Sequence, residues 1–118
     1  MNTNQPDKNG AILITGASKR LGRAMALAAA ERGLDVAVHY RSSEHDAMNV
    51  VDQIKAMGRK AISVKAELTD DSQAREMFDR IEAKLGSVRY VINNASVFAA
   101  SSASIAACMY VDERSRKV

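Results

Sequence analysis

Eight residues, Thr15-Gly16-Ala17-Ser18-Lys19-Arg20-Leu21-Gly22, separate a short apolar run from a stretch dominated by Ala, Leu and Met. The run, residues 11–15, has the length and content of a buried strand. The stretch, residues 20–32, is built of strong helix formers and stops at Gly33, where a helix C-terminal cap belongs. A strand that turns tightly into a helix aims the first, unbonded helix amides at whatever lies above the strand end. Those amides and the helix dipole favour an anion there. Gly16 lets the backbone turn without a Cβ clash, and Gly22 lets the helix approach the sheet or a bound group. Thr15 and Ser18 add hydroxyl donors. The spacing is not G-x-G-x-x-G, and no Gly-Lys-Ser/Thr follows, so it is not a P-loop. Taken alone, the segment is also compatible with a helix start holding two glycines of convenience.

The rest of the chain repeats this alternation. Residues 35–40 are β-branched and aromatic enough for strand two. Ser43 begins helix two, with Asp46 as its capping-box partner; Ala47, Val50, Val51, Ile54 and Met57 follow at helical spacing, and Gly58 ends it. Residues 61–65 read as strand three. Asp70 caps helix three with Gln73 reaching back; Ala74, Met77, Phe78, Ile81 and Leu85 form one apolar stripe, and Gly86 closes it. Residues 90–93 are strand four. The order β-α-β-α-β-α-β predicts an α/β fold, a doubly wound parallel sheet of Rossmann type with strand order 3-2-1-4.

Three segments follow from this pattern. Residues 1–10 are polar and are expected to be a disordered N-terminal segment, residues 11–98 a nucleotide-binding half-domain, and residues 99–118 an atypical tail. The tail passes from Ala and Ser to a charged end, with a short helix expected over residues 104–114. A formal charge of +3, spread among acids on helix faces, gives no footprint for nucleic acid. The one cysteine, Cys108, allows no internal disulfide and has no His or acid pattern around it to make it a nucleophile. No apolar run spans a bilayer and residues 1–10 carry no signal core, so the expectation is a cytoplasmic chain without membrane contact.

Four motifs resemble the short-chain dehydrogenase/reductase family. Its first turn reads T-G-x-x-x-G-x-G; here Thr15, Gly16 and Gly22 match, and Arg20 replaces the middle glycine, a variant that looks like the pteridine reductase branch. His39-Tyr40-Arg41-Ser42 ends strand two, Ala66-Glu67-Leu68-Thr69 follows strand three, and Asn93-Asn94-Ala95-Ser96 ends strand four, where most of the family has Asn-Asn-Ala-Gly. The resemblance covers residues 11–98. It implies NADP(H) as cofactor, its phosphates near Thr15, Gly16, Ser18, Lys19, Arg20, Leu21 and Gly22. NAD-specific folds place an acid about 20 residues past the turn to bind the ribose hydroxyls. At that place stand His39, Tyr40, Arg41 and Ser42, with no carboxylate. A guanidinium fork suits a phosphate dianion. Arg41 and Ser42, with Arg20 nearby, are therefore expected to hold the 2′-phosphate; otherwise Arg41 is a solvated charge after a strand.

By the same resemblance Glu67 and Leu68 lie near adenine, though the family usually has Asp where Glu67 stands, and Glu67 also reads as a surface acid. Asn93, Asn94 and Ala95 line the nicotinamide ribose, or form a turn, which Asn also favours. Ser96 contacts phosphate and substrate, and Phe98 stacks a pterin over the nicotinamide, or is a core or interface aromatic. His39 is a cofactor neighbour or simply a strand residue; His45 is solvated. No metal ligands are expected.

The family's chemistry uses a Tyr-x-x-x-Lys pair, the Tyr giving a proton while NADPH gives hydride. Tyr110 is followed four residues on by Arg114, so it is not that tyrosine, and catalytic residues are read as absent. The chain reads as the N-terminal half of such an enzyme, its tail the product of a frameshift or early stop. Three readings remain open: an NADPH-dependent reductase acting on a carbonyl or pterin-like C=N substrate, an NADP-binding module without catalysis, and a non-functional fragment. A truncated sheet would expose strand four as an edge and favour self-association.

Overall fold

In the computed structural model, residues 10–94 are described. They form β1 (Ala11–Ile14), α1 (Arg20–Glu31), β2 (Asp35–Tyr40), α2 (Glu44–Ala56), β3 (Ala61–Lys65), α3 (Asp71–Leu85) and β4 (Val88–Ile92). All pairings are parallel and the sheet order is β3-β2-β1-β4, the expected 3-2-1-4. Strand alternation divides the core into two layers. Ile12, Ile14, Val36 and Val38 face α1 and α2, where Ala26, Val50 and Ile54 meet them. Ala11, Leu13, Ala37 and Val64 face α3, where Met77, Phe78 and Ile81 cover them. Parallel strands buried on both faces explain why β1 and β2 are apolar without alternation.

Several boundaries differ from the sequence expectation. β1 ends one residue early, at Ile14, and α1 ends at Glu31 with Arg32 as its cap. β4 runs over Val88–Ile92 rather than residues 90–93, because its pairing with β1 begins at Ala11↔Val88 and ends at Ile14↔Ile92. The capping box of α2 does not form. Ser43 occupies the N-cap but makes no side-chain cap bond, and Asp46 pairs instead with Lys19, 3.4 Å away. In α3, Asp70 does cap, accepting from the Ser72 and Gln73 amides at 2.9 and 3.2 Å. The main bond of Gln73, however, is with the Glu67 amide at 2.9 Å, so this side chain braces the β3–α3 connection.

The expectations for residues 1–9, for Ala95, Ser96, Phe98, Cys108 and Tyr110, and for the tail from residue 99 lie outside the described residues. No helix among the described residues is long and apolar enough to cross a membrane. The lower end of the sheet is closed by one buried ion pair: Asp35 accepts from Arg59 Nη2 at 2.8 Å and from the Lys60 amide at 3.2 Å.

Candidate cofactor site

The C-terminal ends of β1, β2 and β3 open side by side, and the turn between β1 and α1 stands over them. Such a crevice beyond the strand ends is where doubly wound sheets hold ligands. A cleft of about 200 Å³ lies here, and its lining includes Gly16, Ser18, Arg41, Ser42, Glu67 and Leu68. A larger hollow of about 620 Å³ lies elsewhere, along Ile12, Leu34, Tyr90 and Ile92. That hollow is the stretch of sheet beside α1 that no described helix covers, and it has neither the turn nor its amides. The smaller cleft carries the chemistry.

The turn is braced from three directions. Gly16 has φ of 62°, a left-handed backbone that favours glycine. Its amide donates to His39 Nδ1 at 2.9 Å, and the next amide, of Ala17, donates to the His39 carbonyl at 2.9 Å. Its carbonyl accepts from Asn94 Nδ2 at 3.1 Å. Thr15, expected to face an anion, is buried instead. Its hydroxyl accepts from the Asn94 amide at 2.8 Å and donates to the Ile92 carbonyl at 3.4 Å. The Thr15 hydroxyl and the Asn94 side chain therefore hold the turn against the end of β4. Gly22 has a sharper reason than close packing on the sheet: a Cβ there would strike the Gly16 carbonyl oxygen and lie 2.6 Å from Asn94 Nδ2. The helix is seated on its own turn.

What remains for a ligand is the start of α1. The amides of Arg20, Leu21 and Gly22 have no carbonyl of their own helix to bond. Leu21 is exposed beside them. Lys19 is the N-cap residue, and its ammonium is engaged by Asp46 at the start of α2. Arg20 has φ of 55°, alone among the described non-glycine residues in being positive. The family's glycine pattern has its middle glycine here, and the backbone shows why: this position is left-handed, which costs a side-chain-bearing residue about 1–2 kcal/mol. Arg20→Gly is expected to release part of that strain, offset by the added chain entropy of glycine, for a net gain of up to about 1 kcal/mol. Thermal unfolding would show a raised midpoint; a lowered one would mean the turn holds no such strain.

At the cleft mouth Arg41 and Glu67 meet, Nε to Oε2 at 3.1 Å. The sequence assigned them separate duties, phosphate and adenine; the structure brings them together across the ends of β2 and β3. The Arg41 side chain is 76% exposed, so the pair is weak enough to open for a stronger anion. Arg20 is exposed but is not among the cleft-lining residues. Leu68 is buried with its face in the cleft, a flat apolar floor suited to a base. Ser43 and Ala66 also line the cleft, which the sequence did not single out. His39 is 2% exposed. Burial pushes its imidazole below the ordinary 6.5, while the Ala66 carbonyl and Glu67 work the other way. Asn93 and His45 are exposed. Among the described residues no group of three or more His, Cys, Asp or Glu side chains is placed to hold a metal ion.

A family profile described as short chain dehydrogenase matches residues 10–113. The chain belongs to the short-chain dehydrogenase family. A 3-oxoacyl-acyl-carrier-protein reductase of Staphylococcus epidermidis is 38% identical over 89 residues, covering 75% of this chain and 36% of that protein. A short chain dehydrogenase from Burkholderia cenocepacia, solved in complex with NADP, superposes with a TM-score of 0.81 at 29% identity, over 92% of this chain and 52% of that one. The FolM alternative dihydrofolate reductase 1 of Brucella suis, also in complex with NADP, gives a TM-score of 0.70 at 31% identity over 77% of this chain and 37% of that one. The chain thus spans about a third of the length of the curated relatives it matches. The described residues form a βαβαβαβ unit with four parallel strands.

Proposed function

We propose that this chain is the NADP(H)-holding part of a short-chain reductase whose substrate is a carbonyl or a pterin-like C=N group. One observation carries the cofactor choice: the tip of β2, where an acid would bind a free ribose, presents Arg41 and Ser42 to the cleft and no carboxylate. The residues fit the group in three ways. The unbonded amides at the start of α1 face the position of a pyrophosphate. Leu68 offers an apolar floor for adenine, and Arg41 can exchange Glu67 for the 2′-phosphate, a dianion that its fork engages through two N–H groups.

When bound, NADPH supplies a hydride. This chain's residues orient it: the turn fixes the phosphates, and Arg41 selects the phosphorylated ribose. Asn94, at the end of β4, keeps turn and strand in register. The pterin-like reading draws on the resemblance carried by Arg20, Ser96 and Phe98 in the sequence, and the NADP-bound FolM reductase among the similar structures supports it. A Tyr-x-x-x-Lys pair is not found in the 118 residues, so proton donation is assigned to none of them.

The test is a pair of calorimetric titrations. The chain is expected to bind NADPH at least tenfold more tightly than NADH. Arg41→Ala should remove about 10- to 100-fold of NADPH affinity, since a hydrogen bond to a charged group contributes about 1.5–3 kcal/mol. NADH binding should scarcely change. Equal affinities for both cofactors in the unaltered chain would overturn the assignment.

A further inference from the structure

We infer that His39 is a positioning residue for the cofactor: its ring ties the glycine turn to the β3 end and so sets the direction in which the turn presents its amides. This rests on the NADP(H) reading of the cleft. His39 lies on β2 between the two segments it joins. On one side the Gly16 amide donates to Nδ1 at 2.9 Å; on the other, Nε2 meets the Ala66 carbonyl oxygen at 2.9 Å. The partners fix the tautomer. Gly16 offers an N–H, so Nδ1 is bare; Ala66 offers an oxygen, so Nε2 carries the proton. Only the neutral Nε2–H ring satisfies both.

The backbone of the same residue adds a third tie, the Ala17 amide on the His39 carbonyl. Two successive turn amides therefore end on one residue. With these two amides drawn down onto β2, the amides left for a ligand are those at the start of α1, of Arg20, Leu21 and Gly22. The Ala66 bond matters equally: Ala66 is followed by Glu67 and Leu68, which line the cleft. One ring thus holds the phosphate side and the adenine side at a fixed separation. Any buried histidine must bond both nitrogens somewhere; what distinguishes this one is where its two partners lie. Here the ring is almost fully buried, and both nitrogens are used by backbone on opposite walls of one cleft.

The test uses two variants and one direct observation on the full 118-residue chain. His39→Asn keeps an acceptor near the place of Nδ1 and so keeps the Gly16 tie. His39→Leu fills the space and keeps neither bond. NADPH affinity, measured by calorimetry where circular dichroism shows each variant folded, should fall by about threefold for Asn, which keeps one of the two ties, and by at least tenfold for Leu, which keeps neither. Equal affinity of Leu and unaltered chain would overturn the proposal, as would Asn no better than Leu. Should His39→Leu not fold, nitrogen-15 NMR of the unaltered chain decides. The expected spectrum shows a neutral ring protonated at Nε2, and a Gly16 amide protected from exchange. A ring protonated at Nδ1, or a freely exchanging Gly16 amide, would sink the tie. If the unaltered chain does not bind NADPH at all, the cofactor reading fails, and the NMR result still judges the bridge on its own.

Discussion

Gly22→Ala is expected to cost at least a hundredfold in NADPH affinity, although it adds a single methyl group. The methyl would be directed at the Gly16 carbonyl oxygen, with Asn94 Nδ2 at 2.6 Å and Ala17 Cα at 2.9 Å. Two of those three atoms are backbone, so a rotamer change relieves only the Asn94 contact. The turn cannot retreat either. Gly16 is held through its amide by His39 and through its carbonyl by Asn94, and Ala17 is held by the His39 carbonyl. Relief must come from tilting the start of α1, and that moves the amides meant for the phosphates. Overpacking of this kind costs about 1–3 kcal/mol in stability. The loss of binding should lie at or above the upper end of that range, a hundredfold being about 2.7 kcal/mol. Calorimetry with NADPH, beside a thermal melt, separates the two. A variant that binds as the unaltered chain does would show that α1 need not sit so close to its turn.

Asp35→Ala is expected to destabilise the fold by about 3–5 kcal/mol, the range for removing one partner of a buried ion pair. Asp35 is buried and its carboxylate is the acceptor for both the Arg59 guanidinium and the Lys60 amide. Without it a guanidinium that is 17% exposed loses its counter-charge, and its Nε already lacks a partner. Domains of this size hold a total margin of about 5–15 kcal/mol, so the loss is a large share of it. The thermal midpoint should fall by on the order of 12–40 °C, at about 4–8 °C per kcal/mol. Asp35→Asn keeps an acceptor and should lose less. A midpoint shift below about 5 °C for the alanine variant would show that the pair contributes little. The pair lies at the end of the sheet opposite the cleft, so in Asp35→Asn the NADPH affinity should be retained where the chain is folded.

The architecture was legible because its signals are local and repeated. Apolar runs of four to six residues alternate with helical stripes such as Ala74, Met77, Phe78, Ile81 and Leu85, all five of which are buried. The strand order follows from crossover rules and needs no side-chain detail. Caps were less legible, because a cap is a competition. Asp46 sits three residues after Ser43, as a capping box requires, but Lys19 approaches from another element and takes the carboxylate. Sequence spacing cannot show a competitor that arrives through the fold.

The site divides the same way. Gly16, Ser18, Arg41, Ser42, Glu67 and Leu68 were named from motifs and the structure gathers them around one cleft. Thr15 and Asn94 were assigned to the ligand, and the structure gives them a second duty in bonds across the fold, to each other and to the Ile92 and Gly16 carbonyls. A polar residue at a strand end reads as ligand-facing until its long-range partner is known, and Thr15 and Asn94 are 79 positions apart. His39 was ambiguous for the same reason: both of its partners are backbone atoms, 23 and 27 positions away. One signal was available in advance. A histidine inside an otherwise apolar strand is costly to bury unless its ring is bonded at both nitrogens. Arg20 shows the converse: the positive φ explains the glycine of the family pattern, and nothing in the structure explains the arginine that replaces it.

The central claim is that the turn and the β2 tip together hold NADP(H). The measurement that tests it most directly is amide NMR of the 118-residue chain during titration with NADPH. The predicted result is a set of saturable shifts at Ser18 to Gly22, Arg41, Ser42 and Leu68, reproduced by NADH only at much higher concentration and without the Arg41 and Ser42 changes. Shifts centred instead on Ile12, Leu34, Tyr90 and Ile92, or none at any concentration, would contradict it.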